Sequence, residues 1–398
     1  MSLPRSFALL LVAALAASGC SKKSATAPTG GGTTPQQEVD AGNSALANGD
    51  VAGANSHYKA ALALSPTNSQ ANLGAGVTEI YLVQNDPDVI AILNALGNPS
   101  LPAPDLRSKR ASFLARMGLS SRRRYDPVSN ARMMFRAFLT LVHEPPLVSE
   151  VQTVLKSAVL PRLQYAEDRL NVIENNPNFV WVVPDSLTGF YGPVEVDLGD
   201  VRILDAVINN IQGTVGLLVA YDFDVPSYDH VRGDSLLASG TAFGQLHSDG
   251  ATQLSAARTN LITATNEVDA AVTSILAETD DQSDDLIPID ALGTASDVSA
   301  LRAQLDQIRS TLNGPTAFDF VNRLGSPDQV TAYVGRFFTN PLADIKNYLP
   351  AHDFDPTTHD PFLLDPITFP DPTFNGIFPG MTNARWQELI GPVAFAAR

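Results

Sequence analysis

Apolar residues along most of this chain recur in steps of three and four, the spacing of one face of an α-helix. The longest such stripe occupies 254–275, over three heptads, with alanine at every second position. Others occupy 298–312 and 147–173, where Pro161 predicts a kink or break. A fourth stripe consists of Leu204, Ile208, Ile211, Val215 and Leu218. Because each stripe buries one face against a neighbouring helix, together they predict a bundle of long helices, packed most closely along the alanine-rich one.

Two short runs depart from helical spacing and predict β-structure. Phe179–Val183 and Val194–Leu198 are rich in valine and flank a turn that contains proline and glycine. Runs of this kind on either side of a turn are typical of antiparallel pairing, so we expect a small β-hairpin near 179–198.

The C-terminal region 338–398 has a composition of its own. Within 347–384 there is no Lys or Arg, but there are five Asp, seven Pro and five Phe residues. Proline at this density disfavours helix and central strand, and phenylalanine at this density is untypical of a solvated tail. We therefore expect an extended arm that lies over the helical body with its Phe side chains as anchors. A short helix at 383–389, with Trp386 facing inward, would close the chain.

The N-terminal sequence has the features of a targeting signal. Arg5 precedes the apolar run Phe7–Ala17, which is too short to span a bilayer but has the length of a signal-peptide core. The run ends in Ala17-Ser18-Gly19-Cys20, which resembles the lipobox of bacterial lipoproteins. That resemblance implies lipidation of the Cys20 thiol, cleavage before it and acylation of the new amino terminus. Ser21 follows the cysteine instead of Asp, which under the enteric-type sorting rule implies the outer membrane. The alternative is an ordinary signal peptide with an incidental cysteine.

Residues 21–37 are rich in Ser, Thr, Gly and Pro and hold almost no large apolar side chain. Such a segment buries too little surface to fold, so we expect a flexible tether in which Lys22 and Lys23 favour an anionic headgroup layer. The mature chain has no other apolar run long enough to span a membrane. We therefore expect the protein to be held at a membrane by its lipid.

The segment that begins at Glu38 resembles one tetratricopeptide repeat. Its signature residues are Gly42, Ala54, Tyr58, Ala61 and Pro66. Small side chains at Gly42 and Ala54 let two antiparallel helices approach, and Tyr58 and Ala61 fill the contact between them. Pro66 ends the second helix. The match covers about 34 residues, the length of one such repeat.

A second copy that would start near Ser69 is incomplete, although it keeps Leu73 and Gly76. One and a half repeats do not bury their own faces, so we expect other helices to cap them. The resemblance implies either a peptide-binding groove or a helical hairpin with a purely structural role, and we favour the structural role.

These patterns predict a mainly α protein: tetratricopeptide-like hairpins, then a long-helix bundle with a small β-hairpin, then an extended Pro/Phe/Asp-rich arm. The expected segments are a signal peptide at 1–19, the lipidated cysteine and tether at 20–37, the repeats at 38–100, the bundle domain at 101–337 and the arm at 338–398.

Charge and cysteine content narrow the function classes. The 398 residues include 26 basic and 42 acidic side chains, a net charge of −16, and the whole imbalance lies in 200–398. This balance argues against nucleic-acid binding, which requires a positive surface. A single cysteine excludes an intrachain disulfide and a Cys-based metal site. A basic block at 107–136 either neutralises the acidic half of the chain or faces lipid or glycolipid phosphate.

Two acidic segments are weak metal candidates. In the arm, the potential ligands are His352, Asp353, Asp355, His359 and Asp360. An EF-type loop would need a central Gly and a closing Glu, and both are missing, so Asx-turns and caps are the competing interpretation. The pairs Asp280-Asp281 and Asp284-Asp285 form the second segment, which we expect to be a solvated loop after the 254–275 helix.

The sequence carries no phosphate loop, His-Glu-x-x-His motif or nucleophile elbow and implies no cofactor. Our first hypothesis is therefore a non-enzymatic scaffold or adaptor, anchored in the cell envelope by its N-terminal lipid and bound to an envelope protein. The second is a lipoprotein that captures a small ligand or polysaccharide between bundle and arm, beside Trp181, Trp386 or the arm's Phe residues. A metal-dependent hydrolase built on the His/Asp arm is the third.

Overall fold

A computed structural model of the chain describes residues 33–95, 147–184, 187, 193–225, 233–238, 240–280, 282–321, 327–357, 359, 361–364 and 366–390. Within these ranges the protein is mainly α, with three separate two-stranded antiparallel sheets, as the periodicity predicts. Cys20, the expected signal peptide, most of the expected tether and the basic block at 107–136 lie outside the described residues.

Twelve α-helices lie within the described residues. The first seven are α1 (Pro35–Ala47), α2 (Val51–Leu64), α3 (Ser69–Val83), α4 (Pro87–Ala95), α5 (Val148–Val154), α6 (Leu160–Glu174) and α7 (Leu198–Leu218). The remaining ones are α8 (Gly233–Leu237), α9 (Gly250–Ala277), α10 (Ala295–Asn313), α11 (Gly335–Thr339) and α12 (Asn383–Ile390).

Each described strand forms a two-stranded sheet with its neighbour in sequence. They are β1 (Val180–Val183) with β2 (Val194–Asp197), β3 (Thr316–Val321) with β4 (Pro327–Ala332), and β5 (His352–Phe354) with β6 (Pro361–Leu363). The β1–β2 pair confirms the hairpin expected near 179–198, with Val180 opposite Asp197 and Val183 opposite Val194. The β3–β4 and β5–β6 hairpins were not expected from the sequence.

Helix α1 begins at Pro35, three residues before the start expected at Glu38. Thr34 and Gln37 form a capping box, in which the Thr34 side chain accepts from the Gln37 backbone N–H and the Gln37 side chain accepts from the Thr34 backbone N–H. Because proline already has helical φ and needs no donor in the first turn, Pro35 suits this start. At the far end Gly49 adopts a φ of +79°, and the Asp50 side chain caps α2 by accepting from the Gly53 N–H.

Helices α1, α2 and α3 pack around Tyr58, which is wholly buried. A Cβ on Gly42 would lie 2.7 Å from the Tyr58 ring, and a Cβ on Gly74 would lie 2.6 Å from it. The glycines of α1 and α3 therefore hold the ring from two sides, and its hydroxyl donates to Asn43 Oδ1 at 2.7 Å. Ala54 and Ala61 are also fully buried in this cluster.

Helix α6 packs against α3, where a Cβ on Gly76 would lie 3.3 Å from the Ala166 carbonyl oxygen. Before α6 the chain forms a π-helical segment at Leu155–Val159, and Pro161 lies in the first turn of α6. Proline cannot donate to the preceding turn, so the regular helix is interrupted where the sequence predicted a kink or break.

The buried face of α7 differs from the apolar stripe read from the sequence. Leu204, Ile208 and Val215 are buried, but Ile211 and Leu218 are 43% and 50% exposed. The helix also buries four polar side chains, Asp200, Asp205, Asn209 and Gln212. The expected stripe is therefore wrong at two of its five positions.

The alanine-rich stripe of α9 is buried, with Leu254, Ala257, Ala271 and Ile275 almost inaccessible to solvent. The close packing expected there occurs where α7 crosses it: a Cβ on Gly216 would lie 2.8 Å from the Ala257 methyl carbon. Only a glycine on α7 fits at this distance.

The C-terminal arm is more folded than an extended segment. It contains the β5–β6 hairpin, with Pro361 as the first residue of an edge strand, a position that needs no ladder donor. Helix α12 confirms the expected closing helix. The half-buried Trp386 contacts the rings of Phe369, Phe374 and Phe378, which form one aromatic cluster with it.

The chain forms two compact units, each made of several stretches of sequence. Among the described residues, unit 1 takes those of 33–95, 156–210 and 266–302, and unit 2 takes those of 147–155, 211–265 and 303–390. The long helices α7 and α9 each contribute to both units, so the division cuts across the sequence. None of the helices described is both long enough and apolar enough to cross a membrane.

Candidate functional site

Three acidic side chains from three helices of unit 1 converge on one point. They are Glu174, the last residue of α6, Asp205 of α7 and Glu267 of α9, and we call them the carboxylate cluster. One carboxylate oxygen from each lies within 4.8 Å of the other two. Among the residues described, these three alone form a metal-ligand grouping of this kind.

The fold of α7 forces Asp205 into the interior. Leu204 and Ile208, the apolar neighbours of Asp205 on the helix, pack into the core of unit 1. Because Asp205 lies between them on the same turn, its side chain is also buried and only 1% exposed. Asn209, one turn later, is completely buried, and its Nδ2 donates to Asp205 Oδ2 at 3.1 Å. The same Nδ2 also lies 3.1 Å from the Asp205 backbone oxygen.

Several oxygens of this region have no hydrogen-bond partner within the described part of the chain. They are Glu174 Oε1, Asp205 Oδ1 and Asn209 Oδ1, all buried. A buried oxygen without a partner costs about 1–3 kcal/mol, and more when it is charged. The cluster is therefore unfavourable with all carboxylates ionised, and protonation or a bound cation would lower this cost.

Burial is the main cause of the electrostatic shifts in the cluster. Burial and the negative charges of neighbouring acids raise the pKa of Glu174 to about 7 and that of Asp205 to about 8. Burial also raises the pKa of Glu267, against the opposing charge of Arg202, whose Nε lies 4.0 Å from Glu267 Oε2. Arg202 is held there by donating to Ser274 Oγ at 2.8 Å and to the Ala270 carbonyl at 3.2 Å.

A second acidic group surrounds the start of α7. Asp197 and Asp200 cap the helix reciprocally, since each accepts from the other's backbone N–H at 3.1 Å. Burial, with Asp197 nearby, raises the pKa of Glu278 to about 8 and that of Asp285 to about 6. Asp285 follows directly on Asp284, whose backbone oxygen accepts from the Glu195 N–H, so this segment packs against β2 and is not simply a solvated loop.

Oxygen ligands of this kind favour one class of ion. Carboxylate and amide oxygens suit hard cations such as Ca²⁺, Mg²⁺ and Mn²⁺, whereas structural zinc sites favour sulfur and imidazole nitrogen. The residues of unit 1 that could hold a metal are therefore Glu174, Asp205 and Glu267, with the Asn209 amide beside them.

The metal candidates of the arm have separate local partners. His352 Nδ1 lies 2.9 Å from the Pro350 oxygen, and His359 Nδ1 lies 3.2 Å from Asp234 Oδ2. The Asp353 side chain accepts a hydrogen bond from the Phe354 backbone N–H, and the Asp355 side chain accepts one from the Thr357 backbone N–H. The Asp355 bond is that of an Asx-turn, which is the interpretation that competes with metal binding. Asp360 lies outside the described residues, as does Asp281.

The remaining residues singled out by the sequence lie at separate places in the chain. Cys20 lies outside the described residues, whereas the repeat-signature residues lie in or beside the α1–α2 hairpin, with Pro66 just after α2. Trp181 packs half-buried against the core of unit 1, and Trp386 belongs to the aromatic cluster of unit 2. His57, which has no partner nearby in sequence, contacts Glu38 Oε2 at 2.8 Å.

Sequence reasoning missed the carboxylate cluster because its members share no local motif. The only signal lies on α7, where Asp205, Asn209 and Gln212 are spaced by four and three residues. This is the spacing of one helix face, so three polar residues form a stripe of their own beside the apolar one. That stripe marks a buried polar face, but it does not identify the residues on other helices that meet it.

Comparisons with protein-family models, with curated proteins and with solved structures find no match to this chain.

Proposed function

We propose that this protein is a bacterial lipoprotein, lipid-anchored at Cys20 in the cell envelope, that acts as a non-enzymatic scaffold or adaptor for an envelope protein. The observation that carries the proposal is the N-terminal sequence, in which Arg5, the apolar run Phe7–Ala17 and the small residues before Cys20 occur in lipobox order. Ser21 favours the outer membrane as the site of the anchor.

The length of the tether fits this role. Helix α1 starts at Pro35 with its own capping box, which leaves residues 21–34 between the lipid and the folded body. A flexible segment of this length has a root-mean-square span of about 20 Å and a maximum of about 50 Å. The body would then work beside the membrane surface, within reach of membrane proteins and of soluble partners close to it.

The repeat-like helices favour a structural role for the first hairpin. Lys59 of this hairpin is already paired within unit 1, since Lys59 and Arg162 of α6 both bind Glu79 of α3 at 2.7 Å. A groove whose charged side chains pair with each other offers fewer groups to a peptide. A better partner surface is the outer face of β1, where Val180 and Val182 are 51% and 49% exposed.

The alternative function, capture of a small ligand or polysaccharide by aromatic side chains of the arm, has less support. The Trp386 ring is engaged by three Phe rings, and its Nε1 donates to the Pro372 oxygen at 2.7 Å. These contacts give the aromatic cluster a packing role, which leaves the scaffold as the preferred function.

Lipid attachment is tested by mass spectrometry of the N-terminal peptide of the mature protein, with membrane fractionation of wild type and Cys20→Ala. We expect a diacylglyceryl-modified, N-acylated Cys20 and loss of the Cys20→Ala protein from the membrane fraction. An unmodified cysteine, or a mature terminus elsewhere, would refute the anchor.

Partner binding is tested by mild crosslinking in cells and identification of the captured proteins. We expect one envelope protein to be recovered with wild type and to be reduced with Val180→Thr/Val182→Thr. Leu64→Thr, which changes an apolar residue that is 52% exposed on α2, is the matched control and should leave capture unchanged. Recovery of no envelope protein would count against the scaffold.

A further inference from the structure

We propose that Glu174, Asp205 and Glu267 bind one divalent cation of the Ca²⁺ type between helices α6, α7 and α9. The proposal concerns unit 1 alone and does not depend on the anchor or on a partner.

The geometry of the carboxylate cluster fits such an ion. Ca²⁺ binds oxygens at about 2.3–2.6 Å, so two ligands on opposite sides of the ion lie about 4.6–5.2 Å apart. The three carboxylate oxygens lie within 4.8 Å of one another, which is below the upper end of this range, so a shared ion requires at most small adjustments of the side chains. Mg²⁺ binds at about 2.0–2.1 Å and demands octahedral geometry, which requires a tighter and more regular arrangement.

A separate observation points to the same place. Asn209 is wholly buried, its amide group is directed at the Asp205 carboxylate, and its Oδ1 has no partner in the described part of the chain. An amide oxygen is a normal ligand for Ca²⁺. Rotation of the Asn209 amide would turn Oδ1 towards the ion and would add a fourth oxygen from a neighbouring turn of α7.

Charge also balances when the ion is present. Three ionised carboxylates and the Arg202 guanidinium leave a formal charge of −2, which one divalent cation neutralises. Glu174 ends α6, where the helix dipole is negative and disfavours a carboxylate without a nearby cation. A cation would satisfy Glu174 Oε1 and Asp205 Oδ1, the two orphaned carboxylate oxygens, at once.

The test is calorimetric titration of the full-length chain with Ca²⁺, after removal of metals by EDTA. The buffer is kept above the pKa of about 8 that burial gives Asp205 and contains enough KCl to screen weak surface binding. We expect one saturable site and a rise in melting temperature of about 3 °C or more with Ca²⁺. Binding to Mg²⁺ should be weaker by about tenfold or more.

Two variants identify the site. Asp205→Asn keeps the shape of the side chain and one acceptor oxygen for Asn209 but removes the charge, and we expect the affinity for Ca²⁺ to fall by about tenfold or more. The control is Glu167→Gln on α6, because Glu167 adds negative charge near both Glu174 and Asp205 but is not a member of the cluster. Its affinity should stay within about twofold of wild type at this salt concentration.

Glu267→Gln is the second variant, because Glu267 is less buried than Asp205 and its replacement is tolerated more readily. It should also weaken Ca²⁺ binding by about tenfold. Absence of saturable binding in wild type would overturn the proposal, and so would equal affinity in Asp205→Asn or Glu267→Gln. Mg²⁺ bound as tightly as Ca²⁺ would overturn the choice of ion.

Discussion

Alanine at Gly42 should destabilise the protein, although glycine to alanine inside a helix ordinarily stabilises by about 1 kcal/mol. The new Cβ would lie 2.7 Å from Tyr58 Cε1 and 2.9 Å from Cδ1, which is well inside contact distance. The ring has little room to move away, because α3 also approaches it closely: a Cβ on Gly74 would lie 2.6 Å from the ring. Overpacking of this kind costs about 1–3 kcal/mol, so the sum is a net loss of up to about 2 kcal/mol.

Removal of the ring should reverse the sign of this effect. In a Tyr58→Leu background the alanine methyl group no longer meets an aromatic edge, so Gly42→Ala should gain stability by about 1 kcal/mol from helix propensity alone. The two changes should therefore couple by about 1–3 kcal/mol in a double-mutant cycle. The assay is urea unfolding followed by far-UV circular dichroism, with a check that the m-value stays constant. If Gly42→Ala raises the midpoint equally in both backgrounds, the ring does not pack against Gly42 and our account of this hairpin is refuted.

Three further predictions concern other parts of the molecule. In EDTA, the free energy of unfolding should fall as the pH rises from about 4 to 8, because an acid whose pKa is raised in the folded state stabilises the fold while it is protonated and loses that contribution as it ionises. Asp205, with a pKa of about 8, accounts for a loss on the order of 5 kcal/mol. Urea midpoints that increase over this pH range would contradict the burial of the cluster. Gly216→Val should destabilise by about 3 kcal/mol or more, since its Cβ would lie 2.8 Å from the Ala257 methyl carbon, and a melting temperature equal to that of wild type would show that α7 and α9 do not approach so closely. Trp386→Ala should cost about 3 kcal/mol and broaden thermal unfolding, whereas Trp386→Phe should cost less than half as much if ring packing is what matters.

Periodicity alone predicted the elements whose burial follows hydrophobicity. Helix α9 has its core stripe where the alanine-rich pattern set it, with Leu254 and Ile275 both inaccessible. The β1–β2 hairpin and α12 were also identified, because valine runs around a turn and a short apolar repeat after the proline-rich segment are local signals. These elements would form in much the same way in any context that supplied an apolar partner.

Other elements depended on information that the local pattern does not carry. Strand β3 alternates apolar and polar residues in Thr316–Val321. This short run comes soon after the helical stripe at 298–312, so the sequence alone places it in the helical bundle. In the arm, proline density correctly disfavoured helix and central strand. It did not predict that β5 and β6 would pair as an isolated hairpin, in which both strands are edges and proline is tolerated.

Helix α7 illustrates the limit most clearly, because two of its faces compete for burial. Ile211 and Leu218 would favour one rotation of the helix, yet the observed rotation exposes them and buries Asp205 and Asn209 instead. Exposure of two large apolar side chains and burial of a carboxylate are both unfavourable, so apolar contacts elsewhere on α7, or a ligand, must offset them. The close approach of Gly216 to Ala257 is one constraint on the rotation of α7. The face that carries Gly216 has no side chain at this position, so it can meet α9 closely.

The cation that we propose at the carboxylate cluster provides the other constraint. With a cation bound, Asp205 is no longer a buried charge without a partner, and the observed rotation of α7 becomes the favourable one. Without the ion, Asp205 remains buried only in its protonated form, which is why its pKa lies near 8. A neutral side chain at this position is therefore favourable without the ion and unfavourable with it. Asp205→Asn should match or exceed wild type in stability in EDTA, but should gain less stability from Ca²⁺ than wild type does. A variant less stable than wild type in EDTA and equally responsive to Ca²⁺ would show that the polar face of α7 is held by packing alone.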